Sequence, residues 1–175
     1  MLYLYIALGA FALLILILLF IGLAQPTKAT ASKSIVINQS VNVVFDECVS
    51  LRNFVIWSPW TAKDPKMEMA FSDEDRVVES WYTWKGNRAV GTGKMTILEI
   101  QTEQRIVIEL LFGFRSKSTA VFSFEATDNG TVVTWSFESE IGNNPFQRAM
   151  IPMMNKYIGK DFEAGLQNLK KHCNG

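Results

Sequence analysis

The sequence is short of the residues from which most catalytic and metal sites are built. One histidine, His172, and two cysteines, Cys48 and Cys173, occur in 175 residues. No Cys or His spacing fits a zinc site, and a single cysteine pair makes no disulfide framework. Net charge is absent too, because 17 Lys and Arg balance 17 Asp and Glu. A protein that neutralises phosphates needs a basic face, so nucleic acid is not an expected partner. Charge of either sign is missing before Lys28, and acid is missing before Asp46. Gly91-Thr92-Gly93 resembles a phosphate loop only superficially, since the strand-like run Met95–Ile100 follows it rather than a helix. A bulge or a tight turn into a strand is the better reading, and no cofactor is expected.

What is present falls into two parts. Residues 1–24 hold 22 apolar residues and two glycines, whereas the other 151 hold 63 apolar residues and every charge. Leu2–Leu23 as a helix would be about 33 Å long, against a hydrocarbon core of about 30 Å. A cleaved signal peptide would need a basic leader and an apolar run of about 7–15 residues. Neither is found, although Gly22-Leu23-Ala24 and Ala29-Thr30-Ala31 are weak cleavage-like sites. Residues 1–24 are therefore expected to be a retained transmembrane helix, with the lipid bilayer as partner of residues 2–23. Lys28 and Lys33 lie just past the span, which favours a cytoplasmic soluble domain. Residues 25–33, with Pro26 and several Ala, Thr and Ser, read as a short linker.

The rest, residues 34–175, has the size of one domain, and its five Trp and ten Phe exclude disorder. Ser34–Asn38 reads as a β-branched strand. Val41–Val49 repeats apolar residues at helical spacing, with Ser40 or Asn42 to cap it, and Leu51–Trp57 continues as a second helix stopped at Ser58-Pro59. Six strand-like runs follow, namely 66–71, 77–84, 94–101, 105–112, 119–127 and 131–138. Between them stand turn residues, of which Asn129-Gly130 is the strongest hairpin signal. Ala120, Phe122, Phe124 and Ala126 share one face of their strand, as do Val133, Trp135 and Phe137 of theirs. An apolar sheet face needs a cover. Residues 146–171 supply it with a stripe at 146, 150, 153, 154, 157, 158, 162, 166 and 169, while Pro152 must kink the helix or delay its start. The expected class is α+β, a curved antiparallel sheet around a long C-terminal helix.

Several groups of residues carry a resemblance. They are Trp57-Ser58-Pro59-Trp60 with Asp64-Pro65, Trp84-Lys85-Gly86-Asn87, Val90-Gly91-Thr92-Gly93-Lys94-Met95 and Gly130-Thr131-Val132-Val133-Thr134-Trp135. The series closes with Gly159-Lys160-Asp161-Phe162-Glu163-Ala164-Gly165-Leu166 and Leu169-Lys170. In this order they resemble the START-like, or SRPBCC, superfamily and its polyketide cyclase/dehydrase branch over about residues 34–172. The resemblance implies a helix-grip fold, in which a seven-stranded antiparallel sheet grips the C-terminal helix and leaves a cavity between them.

The aromatics available to line such a cavity are Trp57, Trp60, Tyr82, Trp84, Phe112, Phe122 and Trp135. From the helix come Met150, Met153, Met154 and Tyr157. Walls of this kind bind apolar bodies and orient them through indole N–H and phenol O–H groups, and methionines adapt to irregular shapes. Trp60 and Trp84 are the foremost candidates because they flank turns; plain core is the alternative for each of these residues. Glu79, Glu99 and Glu109 sit in mid-strand and would gain raised pKa values if turned inward. Arg88 and Arg115 fall in rim turns, where either could meet an anionic group. Cys48 reads as a small buried hydrophobe and His172 as a tail residue without an assignable partner.

Three functions stay open at this point. The first is membrane-anchored binding of a small hydrophobic or amphipathic ligand, lipid- or polyketide-like. The second is a cyclase/dehydrase-type enzyme using an inward carboxylate or Tyr157. The third is an interaction module whose pocket is filled by its own side chains.

Overall fold

The first helix, α1 (Leu2–Ala24), is 23 residues long and keeps its apolar surface outside, with Gly22 as its one buried residue. It is long and apolar enough to cross a membrane. The structure is a computed structural model, and it describes residues 1–113 and 116–174. Three residues after α1 the chain enters β1 (Lys28–Ile37). The segment 28–33, expected as linker, is therefore strand. Its short polar side chains alternate along an edge paired with the last strand, from Lys28 opposite Glu140 to Ile37 opposite Thr131, and backbone pairing needs no apolar run.

Helices α2 (Val41–Val49) and α3 (Leu51–Trp57) stand where their periodicity places them. Ser40 occupies the N-cap position of α2, and Ser50 caps α3 by accepting from the Asn53 amide. Ser58-Pro59 ends α3 as expected, but it also starts a further short helix, α4 (Pro59–Lys63). Proline is pre-shaped for a first helical turn, and the Ser58 hydroxyl accepts from the Trp60 amide.

The remaining strands are β2 (Glu68–Phe71), β3 (Trp81–Lys85), β4 (Thr92–Gln101), β5 (Arg105–Phe112), β6 (Ser116–Thr127) and β7 (Gly130–Glu140). They form one seven-stranded antiparallel sheet in the order β1-β7-β6-β5-β4-β3-β2. Residues 77–80, expected as the start of β3, are a turn instead. Arg76 and Glu79 take positive φ values of 64° and 71°, and the Ser80 hydroxyl accepts from the Val77 amide. Such a turn overrides the β-branched pair Val77-Val78, which is left exposed.

The C-terminal segment divides at Pro152 into α5 (Pro145–Arg148) and α6 (Ile151–Cys173), the delayed start that proline imposes. Helix α6 lies on the concave face of the sheet. Its Phe162 ring stacks on Trp135 of β7 with centroids 4.0 Å apart and planes 6° apart. Gly165 lets the helix approach, because a Cβ there would stand 2.8 Å from the Trp135 ring. Around this pair Phe54, Trp57, Phe122, Leu166 and Leu169 complete a fully buried core. The fold is the expected α+β helix-grip.

Candidate functional site

Sheet register places two rows of inward side chains across strands β3 to β5. Tyr82 faces Met95, which faces Leu110; Trp84 faces Gly93, which faces Phe112. Gly93 is required by that second row, since a Cβ on it would fall 2.3 Å from the Trp84 ring and 2.5 Å from the Leu111 carbonyl oxygen. The indole lies across the strand in the space that glycine leaves open. Trp84 then sits 5.3 Å from Tyr82 and 6.0 Å from Phe112, centroid to centroid.

These rows, with Trp60, Met67, Val90 and Trp135, enclose an apolar hollow. Two loops supply part of its wall, Met67 and Val90. The Asp64 carboxylate accepts from the Asn87 amide at 2.6 Å and the Lys66 amide at 3.2 Å, while the Asn87 side chain donates to the Lys63 carbonyl and accepts from the Ala89 and Val90 amides. This network ties the turn carrying Met67 to the loop carrying Val90. Asp64, Gly86 and Asn87, which stand out in the sequence as a pattern, thus belong to the two joined loops and not to the lining.

The hollow is small as it stands, about 40 Å³. That is room for a water or two, well below the roughly 300–1,000 Å³ of sites that hold drug-sized ligands. Among the described residues its lining has one titratable group, Tyr82, whose hydroxyl burial pushes well above its ordinary range, so it stays a neutral donor. Trp135 adds an indole N–H that is buried without a hydrogen-bond partner among the described residues, as is the Thr61 hydroxyl of α4. An unpaired buried donor costs about 1–3 kcal/mol, and an acceptor on a bound molecule would recover it.

Of the residues expected to line a cavity, Trp60, Tyr82, Trp84, Phe112 and Trp135 meet at this hollow. Trp57 and Phe122 do not; they are sealed in the core behind it, and the Trp57 indole donates to the Glu47 carbonyl. Met150, Met153, Met154 and Tyr157 do not line it either, because the stripe read along 146–171 merges two faces. At 100° per residue, Ile158, Phe162, Leu166 and Leu169 fall on the packed side, whereas Met150, Met153 and Tyr157 fall within about 60° of one another on the other side. All three are exposed. The hollow accordingly lies between α4 and strands β3–β5, not under α6. Met67, Val90, Met95 and Leu110 were missed as lining; only cross-strand register, invisible in a linear sequence, brings the last two beside Tyr82.

The acids stand elsewhere. Glu79 is exposed in its turn, Glu99 accepts from Gln101, and Glu109 pairs with Lys117 at 3.0 Å. Arg88 is exposed on the loop that carries Val90, and Arg115 lies outside the described residues. His172 has a partner after all, Glu47, at 2.9 Å. Cys48 is buried as expected, and desolvation raises its thiol pKa well above the usual range.

Comparison with known proteins agrees with this architecture. The family described as polyketide cyclase / dehydrase and lipid transport matches residues 28–174. Among solved structures, protein CV1439 from Chromobacterium violaceum superposes with a TM-score of 0.60 at 13% identity, covering 84% of this chain and 98% of its own. The di-domain ARO/CYC protein StfQ from the steffimycin biosynthetic pathway gives 0.61 at 10% identity, covering 85% of this chain and 51% of its own. Ara h 8.0201 gives 0.59 at 13%, covering 83% and 97%. At these identities the likeness is one of fold. No curated protein matches the chain in sequence.

Proposed function

The chain belongs to the polyketide cyclase / dehydrase and lipid transport family, and from that premise we propose that it is a membrane-anchored binding protein for a small hydrophobic or amphipathic molecule. One observation carries the reading: an apolar hollow whose lining residue Trp135 keeps a buried indole N–H unpartnered. A ligand with an apolar body and one carbonyl or hydroxyl oxygen suits both features. Entry requires the hollow to widen. Met67 and Met95 are unbranched and adaptable, and part of the wall is made of loops, which move more readily than strands. In this reading α1 is a retained anchor, and Lys28 and Lys33 beyond it keep the domain on the cytoplasmic side.

The enzymatic alternative lacks its expected groups among the described residues, since no carboxylate of these lines the hollow and Tyr157 is 62% exposed on α6. The small volume supports a different second reading, an interaction module whose hollow stays filled by side chains. One experiment separates the two. The full chain is purified in mild detergent, extracted with organic solvent, and its extract compared by mass spectrometry with that of Leu110→Trp, which fills the hollow, and of Trp135→Phe, which removes the N–H. A ligand site predicts a molecule retained by the wild type, absent from Leu110→Trp, and bound about 5–15-fold more weakly by Trp135→Phe, the loss of one hydrogen bond of about 1–1.5 kcal/mol. Identical extracts from all three would leave the filled module.

A further inference from the structure

The stripe on α5 and α6 has no role in the hollow, yet four of its large apolar side chains stand exposed. Phe146 is 48% exposed, Met150 48%, Met153 46% and Tyr157 62%. Methionine, phenylalanine and tyrosine grouped on one side of a helix mark a contact surface rather than scattered exposure. Lys156 and Lys160, both exposed, flank the stripe on one side by their helical positions.

Its location relative to α1 identifies the occupant. Helix α5 packs on the end of α1, where Gly22 lies against the Pro145 backbone so closely that no Cβ could fit. Arg148 donates to the carbonyls of Leu23 and Gln25. Those are among the carbonyls a helix end leaves unpaired, and the guanidinium sits at the negative end of the helix dipole. The start of α6 is held at the same level. The Thr30 amide, near the beginning of β1, donates to the Asn155 side chain at 3.1 Å, while further along Lys33 pairs with Glu163 at 3.3 Å. Thus β1 and α6 run side by side away from the end of α1, and the stripe is at their near end. Whatever surrounds α1 ends beside Phe146, Met150, Met153 and Tyr157.

We propose that this stripe is a second membrane contact: it seats in the headgroup region of the bilayer that α1 spans, with Lys156 and Lys160 toward anionic lipid phosphates. The inference rests on the reading of α1 as a span. An amphipathic segment with aromatic and thioether side chains on one face and lysines beside it suits that interface. The contact fixes how the domain is tilted against the membrane, which a single flexible tether would not.

The test uses the full chain in vesicles of phosphatidylcholine and phosphatidylglycerol at three to one. Benzoylphenylalanine replaces Met153 or Tyr157 in turn, with Leu14 in α1 and Asn129 in the β6–β7 turn as the reference positions. On irradiation, positions 153 and 157 are expected to give lipid adducts at least tenfold above position 129. Adducts at 14 alone would overturn the proposal while leaving the span intact. Adducts at no position would remove the span itself, and a cross-linked dimer from 153 or 157 would assign the stripe to a second copy. A companion measurement needs no substitution: water-soluble acylation of lysines in the same vesicles should label Lys156 and Lys160 at least threefold more slowly than Lys171. That protection should shrink in vesicles of phosphatidylcholine alone, and equal rates in both would also overturn the proposal.

Discussion

Around Trp135 the rings close on one another. Phe162 stacks at 4.0 Å, Phe122 at 4.8 Å, and Phe54, Trp57 and Trp60 meet its edges at 5.7–5.9 Å. Around Trp84 the spacing is 5.3 Å to Tyr82 and 6.0 Å to Phe112, and a void of about 40 Å³ remains. The first region joins three helices to the sheet. The second is held by strand rows, one five-residue helix and two stitched loops. The same residue types therefore do two jobs. Where helices press on the sheet they fix the fold, and where loops replace helices they leave space that can change. Stability and adaptability are assigned to adjoining parts of a single apolar interior, with Trp60 and Trp135 shared between them.

A matched pair of truncations would break this comparison most directly. The cost of Leu→Ala ranges over about 2.7–5 kcal/mol according to how far the surroundings can collapse. Leu166→Ala, in the closed region, should fall near about 4–5 kcal/mol, and Leu110→Ala, on the wall of the hollow, near about 2.5–3. Denaturant unfolding of the full chain in detergent measures both, and equal losses would mean the two regions are packed alike.

Gly93→Ala should come next. The added methyl collides with the Trp84 ring and the Leu111 carbonyl, and overpacking of this kind costs about 1–3 kcal/mol. Trp84 must shift, so its fluorescence maximum should move along with the stability. A loss with no spectral change would place the strain elsewhere.

The smallest effect on stability is read from the thiols. Burial beside Glu47 pushes Cys173 up to about 11 from 9.0. A thiol pKa raised by folding contributes stability that is complete below pH 9 and is lost as pH rises from 9 to 11. Alkylation of Cys173 by iodoacetamide at pH 8 should accordingly run well over tenfold slower than in the unfolded chain, because only the thiolate reacts. Cys48, closed inside the dense region, should stay unmodified until the protein unfolds. Comparable rates for the two cysteines would show that α2 opens as easily as the C-terminal tail.

Much of the dense region was legible in the sequence. The alternation of β6 and β7 announced Phe122 and Trp135 as inward residues, and the period of 162, 166 and 169 announced their cover. The hollow was harder. Tyr82, Met95 and Leu110 are far apart in the chain and become neighbours only through strand register, which turns and a bulge between Ile97 and Glu99 set. The stripe at 146–157 misled for another reason. Apolar spacing shows that a helix has faces but does not say which of two apolar faces the sheet will take. For β1 the signal was simply weak, because Lys28–Lys33 pairs through its backbone and carries few side chains that advertise a strand.

That strand has one more consequence. Its ten-residue antiparallel ladder with β7 starts three residues from α1. Ladder bonds lie across the strand direction, so a pull transmitted along β1 loads them together in shear and does not peel them one by one. Tension passed along β1 from α1 would be carried by this ladder, at the edge of the sheet away from the strands β3–β5 that wall the hollow.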